Sequence, residues 1–235
     1  MRRRSQDAAL GAAIAVLVLV LGPWFDRLAD RSFAWHMAQH IAIMMIAAPL
    51  FLLGAPLRRL LAALPRSAAR RVSRFLQHPV VQILNSPFLA WLALPITLYV
   101  AHFSPLYEAA LERDPIHAFE HGLFFAAALC YWNPILAVAP SPHALSYPVR
   151  IFYVFISMPV QGFLGLALYS INHPLYPYYE RELGVAAAML DQAYGAELMW
   201  VATGFFLVIP FLVLVFYWLR AEERLALLAD RQSLS

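Results

Sequence analysis

Long apolar runs separated by short polar stretches rich in arginine dominate this chain. A helix that crosses a bilayer needs about 20 mostly apolar residues. Runs of that kind lie near 8–25, 33–54, 79–102, 116–139, 149–171 and 192–219. The pattern predicts an all-α, polytopic membrane helix bundle of about six transmembrane helices, a single integral-membrane domain over 1–235 with no internal repeat. The first run follows Met1-Arg2-Arg3-Arg4 and has the outline of a secretory signal. No small-residue cleavage site follows it, however, and Gly22-Pro23-Trp24-Phe25 reads as the interfacial end of a retained helix. Pro49, Pro95, Pro134, Pro159 and Pro210 fall in or near the ends of the runs, where they predict kinks whose freed backbone groups are met by neighbours.

Composition supports this class. The chain is 62% hydrophobic and 13% charged, against roughly 45–50% and about 25% in a soluble domain. A secreted soluble enzyme, a disordered tail and a nucleic-acid-binding domain are excluded together. All 17 basic residues are arginine, and their placement sets orientation. With the amino terminus inside, Arg2, Arg3, Arg4, Arg58, Arg59, Arg66, Arg70, Arg71, Arg74, Arg150, Arg220, Arg224 and Arg231 are cytoplasmic. Only Arg27, Arg31, Arg113 and Arg181 lie outside. This split follows the positive-inside rule at every connection and predicts that both termini are cytoplasmic. The segment 57–76 sets leucines among six arginines around Pro65 and predicts one or two short amphipathic helices on the inner leaflet, or a solvated basic loop that only fixes topology. The lone Cys130 leaves no disulfide framework and no CxxC site.

Chemistry has to be sought among groups that are expensive in lipid. His78 and His143 fall on the cytoplasmic side. His36, His40, His102, His117, His121 and His173 map to the outer ends of the second to fifth runs. His36/His40 and His117/His121 are each four apart, so each pair shares one helical face. Two such pairs can present four imidazoles at one depth. Imidazole is the commonest metal ligand, and bundle cores build metal sites from facing helices. Histidines at this level also serve as interfacial anchors or as hydrogen-bond partners between helices, a reading that suits His102 and His173 as well as ligation does. Met44 continues the stripe His36–His40–Met44, and Met37 and Met199 lie at similar depth. Thioethers favour Cu(I), although a methionine in an apolar helix is more often plain packing.

Carboxylates gather on the same side. Glu120 precedes His121. Asp191 opens the sixth run, where it can also cap the helix. Glu197 follows two turns deeper, as a proton carrier, a partner of histidine or an acceptor that orients an imidazole. Tyr169, Tyr176, Tyr178, Tyr179, Trp24, Trp35 and Trp200 fit an outer aromatic belt. Gln82, Asn85, Asn133 and Gln161 are explained by hydrogen bonds between helices. No charged path, phosphate loop or HExxH sequence is present.

The stretch FAWHMAQHIAIMMIAAPLFLLGAPL at 33–57 resembles the signature of the multi-span CtaG family of cytochrome c oxidase assembly factors. HFSPLYEAALERDPIHAFEH at 102–121, PLYPYY at 174–179 and DQAYGAELMW at 191–200 resemble the same family, so the likeness covers roughly 33–218. It implies a multi-pass protein of the bacterial inner (plasma) membrane, not an enzyme, that supports metal insertion into a haem–copper oxidase, with oxidase subunits or a periplasmic copper chaperone as partners. Its pattern falls on His36, Met37, His40, His102, His117, Glu120, His121, Asp191, Gln192, Met199 and Trp200; Glu197 departs from it, where an apolar residue is expected.

Three functions follow. In a copper-binding assembly factor, His36, His40, His117 and His121 form the inner ligand set, with His102, His173, Asp191 and Met199 as outer or exchange ligands. In a haem-binding electron-transfer protein, one histidine of each pair ligates iron. In a zinc-dependent intramembrane hydrolase, Glu120 or Glu197 is the general base. A scaffold within an oxidase assembly complex is the fallback.

Overall fold

A computed structural model describes residues 3–136 and 145–233, and all its regular structure is helical. His143 and the end of the fourth apolar run, 137–139, lie outside the described residues. In chain order the elements are α1 (Arg3–Val20), α2 (Pro23–Ala29), α3 (Phe33–Ile41), a π-helical segment (Ala42–Ala47) and α4 (Ala48–Leu53). Then come α5 (Pro56–Ala63), α6 (Arg66–Leu76), α7 (Pro79–Leu84), α8 (Pro87–His102) and α9 (Pro105–Glu112). The last four are α10 (Asp114–Leu136), α11 (Tyr147–Tyr169), α12 (Pro177–Leu183) and α13 (Val185–Ser233).

Among the described residues, three helices are long and apolar enough to cross a membrane: Phe33–Leu53, Tyr147–Tyr169 and Val185–Gln232. Two bent pairs raise the number to five if each is one span: Arg3–Val20 with Pro23–Ala29, bent by 56°, and Pro87–His102 with Pro105–Glu112, bent by 70°. Each break precedes a proline, which fixes φ, lacks an N–H and disfavours helical geometry in the residue before it. The same rule corrects the run read as 79–102. It is interrupted at Asn85–Ser86 ahead of Pro87, and the continuous helix is α8. Gln82 donates to the carbonyl of Leu76 at the end of α6, joining two successive short helices, and Asn85 donates to the carbonyl of Val81 in its own segment. Over its 23 described residues α10 is less apolar than those spans, with Glu120, His121 and Asn133 in its most apolar stretch; the apolar end of the run, 137–139, lies outside the described residues. The segment after α4 forms two short helices, α5 and α6, with no buried residue. Arg59 ties it back to Asp7 at 2.6 Å, and Arg58 bonds Gln6.

Helix neighbours run in a closed circuit: α3 with its π segment and α4, then α10, α8, α11, α13 and back to α3, with α1 against the π segment and α4. α11 and α13 form the largest interface. Their outer faces carry Phe152, Phe155, Phe163, Val201 and Phe205, all exposed, as expected of helices facing lipid.

The end of the π segment leaves one carbonyl to a neighbouring helix. In π geometry the N–H of Ala48 reaches the carbonyl of Ile43, so the next donor in the series would be residue 49, a proline without N–H. The carbonyl of Met44 is thereby left to a neighbour. Trp132 Nε1 on α10 donates to it at 2.9 Å, as the sequence reading of Pro49 anticipates.

α3 and α13 approach closely because Gly195 has no side chain. A Cβ there would lie 2.3 and 2.5 Å from two ring carbons of Phe33. That ring is itself held by Tyr107, Tyr176 and Tyr179. Gly195→Ala is expected to destabilise the fold by about 1–3 kcal/mol, the usual range for overpacking. Thermal denaturation of the detergent-purified protein checks this as a lowered midpoint.

Candidate metal centre

α3 begins at Ser32, whose Oγ accepts from Trp35 N at 3.3 Å. The remaining first-turn amides need an acceptor, and Asp191 supplies it from α13. Its carboxylate accepts from Ser32 Oγ at 2.7 Å, Phe33 N at 2.5 Å and Ala34 N at 3.4 Å. Negative charge is favoured at that helix end. Asp191 therefore neither opens its own helix, since α13 starts at Val185, nor faces the histidines. It caps α3 and fixes the rotation that brings His36 and His40 inward.

α10 meets α3 and the π segment with His117, Glu120 and His121. One ring nitrogen from each of His36, His40, His117 and His121 lies within 4.8 Å of every other. Ring centres are 4.4 Å apart for His36–His40, 4.1 Å for His117–His121, 4.9 Å for His36–His117 and 5.2 Å for His40–His121. Tetrahedral imidazole ligands around a first-row ion stand roughly 3.3 Å apart, so this cluster is of comparable size. Glu120 is 0% exposed. Its Oε2 is 3.7 Å from His40 Nε2 and 3.9 Å from His36 Nε2.

A chain of hydrogen bonds sets the tautomer of His36. The Tyr179 hydroxyl donates to the carbonyl of Ala29 at 2.9 Å, and burial holds this phenol well above its ordinary pKa, so it keeps its one proton. It must then accept from His36 Nδ1, 3.2 Å away. The His36 Nε2 lone pair is left facing the cluster, 3.0 Å from His40 Nε2. Supporting partners of this kind orient metal-binding imidazoles and raise their basicity.

Buried polar atoms in folded proteins are nearly always paired. In this cluster His40 Nδ1, His117 Nε2, His121 Nε2 and both Glu120 oxygens have no hydrogen-bond partner. Apart from the His36 Nε2–His40 Nε2 contact, the four imidazoles and the carboxylate make no hydrogen bond with one another, and this excess of converging lone pairs fits a cation. The residues present therefore suit a metal ion of the zinc, iron or copper type.

Of the other residues singled out by sequence, Met37, Met44, Met199 and His102 lie beside this cluster. They line a chamber of about 20 Å³ together with His40, Gln161 and Thr203. His173 and Glu197 are exposed and are not brought to the cluster. Glu197 needs no buried partner, since it sits on the open face of α13. Gln161 makes no bond between helices; both its polar atoms are buried without a partner.

Sequence reasoning assigned Tyr176 and Tyr179 to an outer belt and did not single out Tyr107; all three are part of the site's wall. Tyr107 packs against His36 and His102, Tyr176 stacks on Tyr107, and Tyr179 bonds His36. Their presence in the quoted LYEAAL and PLYPYY stretches was the available signal. Trp24, Trp35 and Trp200 are about half exposed, consistent with a belt.

A family model described as cytochrome c oxidase caa3 assembly factor matches residues 2–221. An uncharacterized protein of Mycobacterium bovis and one of Mycobacterium tuberculosis are each 26% identical over 249 residues, covering 99% of this chain and 38% of their own length. One from Mycobacterium leprae is 26% identical over 222 residues, covering 87% of this chain and 32% of its own. The chain thus spans well under half the length of the curated relatives it matches. No solved structure matches it.

Proposed function

This chain belongs to the cytochrome c oxidase caa3 assembly factor family, and on that premise we propose that it holds copper as cargo between α3 and α10 for insertion into a haem–copper oxidase. The observation that carries this reading is the convergence of His36, His40, His117 and His121, with Glu120 beside them, in a cluster where His40 Nδ1, His117 Nε2, His121 Nε2 and both Glu120 oxygens have no hydrogen-bond partner. Copper is favoured over zinc because methionines crowd the adjoining chamber, and soft thioethers select Cu(I). A haem reading has little support, since the four rings are packed against one another and the chamber is far smaller than a macrocycle. A zinc hydrolase would need a substrate cleft, and neither the chamber nor the exposed Glu197 offers one.

The chain is read as a bacterial inner-membrane protein of six spans, the two bent pairs and α10 each crossing once. With both termini cytoplasmic, as the arginine distribution favours, the cluster lies near the outer face, where a periplasmic copper chaperone can deliver and an oxidase subunit can receive. The role is handover, not turnover.

The test is genetic and chemical. In a strain lacking the gene, membranes are expected to contain oxidase with haem but severalfold less copper. Wild-type protein should restore the copper and His117→Ala should not. Equal copper in the oxidase of the deletion strain would overturn the reading.

A further inference from the structure

We propose that the chamber enclosed by α3, the π segment, α8, α11 and α13 is a second cation site, distinct from the four-histidine cluster, that takes Cu(I) through thioethers. The inference deepens the copper reading above and rests on it. The two sites share one wall, because His40 belongs to the cluster and also lines the chamber.

Hydrogen-bond logic at His102 comes first. Its Nδ1 lies 2.8 Å from the carbonyl of Leu98. A carbonyl only accepts, so Nδ1 carries the proton and the neutral ring turns its Nε2 lone pair inward. That lone pair meets Met37 Sδ at 3.4 Å, and a thioether has no proton to offer. Two Lewis bases face each other with nothing to donate between them. This is the arrangement a soft cation resolves.

The rest of the lining agrees. Four of the seven methionines, Met37, Met44, Met45 and Met199, line this one chamber, which packing alone would not concentrate there. Gln161 is 4% exposed, and neither its amide oxygen nor its nitrogen has a partner; the oxygen is a further neutral donor. At about 20 Å³ the space exceeds the roughly 10–15 Å³ that a single water needs. No carboxylate lines it. The desolvation cost of an ion grows with the square of its charge, so a neutral chamber suits a monovalent ion, whereas Glu120 places negative charge at the four-histidine cluster. The sequence order His36–Met37–His40 then serves two sites from adjacent faces of one helix turn.

The experiment uses the full chain in detergent, titrated without oxygen with Cu(I) against a chromophoric chelator and, separately, with Ag(I) as a probe that cannot change oxidation state. Copper X-ray absorption of the loaded protein is expected to show sulfur scattering. Met37→Leu/Met199→Leu, a pair of substitutions that conserves volume, should remove that scattering and weaken Cu(I) and Ag(I) binding at least tenfold, with Zn(II) retention unchanged. His117→Ala/His121→Ala should do the opposite, losing Zn(II) and keeping the sulfur signal. Copper bound with nitrogen and oxygen scattering only, or unaltered Ag(I) affinity in the double methionine variant, would overturn the proposal. A sulfur signal without any metal at the histidines would instead sink the four-histidine reading and leave this one standing.

Discussion

His40→Ala or His121→Ala is expected to yield a folded protein that no longer retains metal at the four-histidine cluster through purification, read as lost Zn(II) retention. Each substitution removes one imidazole from a set whose ring nitrogens all lie within 4.8 Å, and the two residues belong to different helices, so neither can stand in for the other. Removing a partner that merely orients a ligand lowers metal affinity about 10–100-fold. Losing a ligand must exceed that, enough to empty the site during washing. Tyr179→Phe calibrates the scale. It removes the acceptor that holds His36 Nδ1 while leaving all four rings, so its loss of affinity should fall within the 10–100-fold range. Metal analysis of the purified variants, with a chelator competition for the tyrosine variant, checks the order. Equal metal in wild type and His121→Ala would remove the cluster from the mechanism. The elution profile and melting curve guard against misfolding, and little loss is expected there, since cavity formation beside a polar cluster can admit water.

Which parts of this site were legible beforehand follows from the range of the forces involved. The i, i+4 spacing of His36/His40 and of His117/His121 is a local property of a helix, so the inward faces could be read directly. That the two faces meet, with Glu120 between them, depends on α3–α10 packing, and the pairing was inferable only from matched depth. Asp191 shows where depth misleads. Its position near the start of an apolar run suggested a ligand or a cap of its own helix, but α13 begins at Val185 and the carboxylate caps α3, more than 150 residues away in sequence. Tyr179 was lost for a related reason. An aromatic next to an interface is indistinguishable by sequence from a belt residue until α12 folds it under α3. The count of spans was blurred because prolines at 23, 87 and 105 cut helices that composition alone would run together.

Glu120→Gln should separate two quantities that usually move together, raising the stability of the metal-free protein while lowering its affinity for divalent metal. Glu120 is 0% exposed and neither carboxylate oxygen has a hydrogen-bond partner. A carboxyl so buried costs several kcal/mol when ionised and otherwise has to take up a proton to stay neutral, so either way it burdens the metal-free fold. Glutamine keeps the volume and has no proton to take up and no charge to bury, so the metal-free fold is expected to gain about 1–3 kcal/mol, the usual scale for one ill-satisfied buried group. With a cation in place the balance reverses. The carboxylate, 3.7 and 3.9 Å from the Nε2 atoms of His40 and His36, then neutralises charge in a low-dielectric setting where such attraction is strong. Because a ligand that binds only the folded state stabilises by RT ln(1 + [L]/Kd), the metal-induced rise in melting temperature should shrink in Glu120→Gln as its metal-free baseline climbs. Divalent ions should lose more affinity than Ag(I), since the lost attraction scales with ionic charge. Melting curves of the apo and metal-loaded forms read both effects in one series. A variant whose apo form melts no higher than wild type, with an undiminished shift on adding metal, would mean that Glu120 is a bystander to the cation and that the imidazoles alone define the centre.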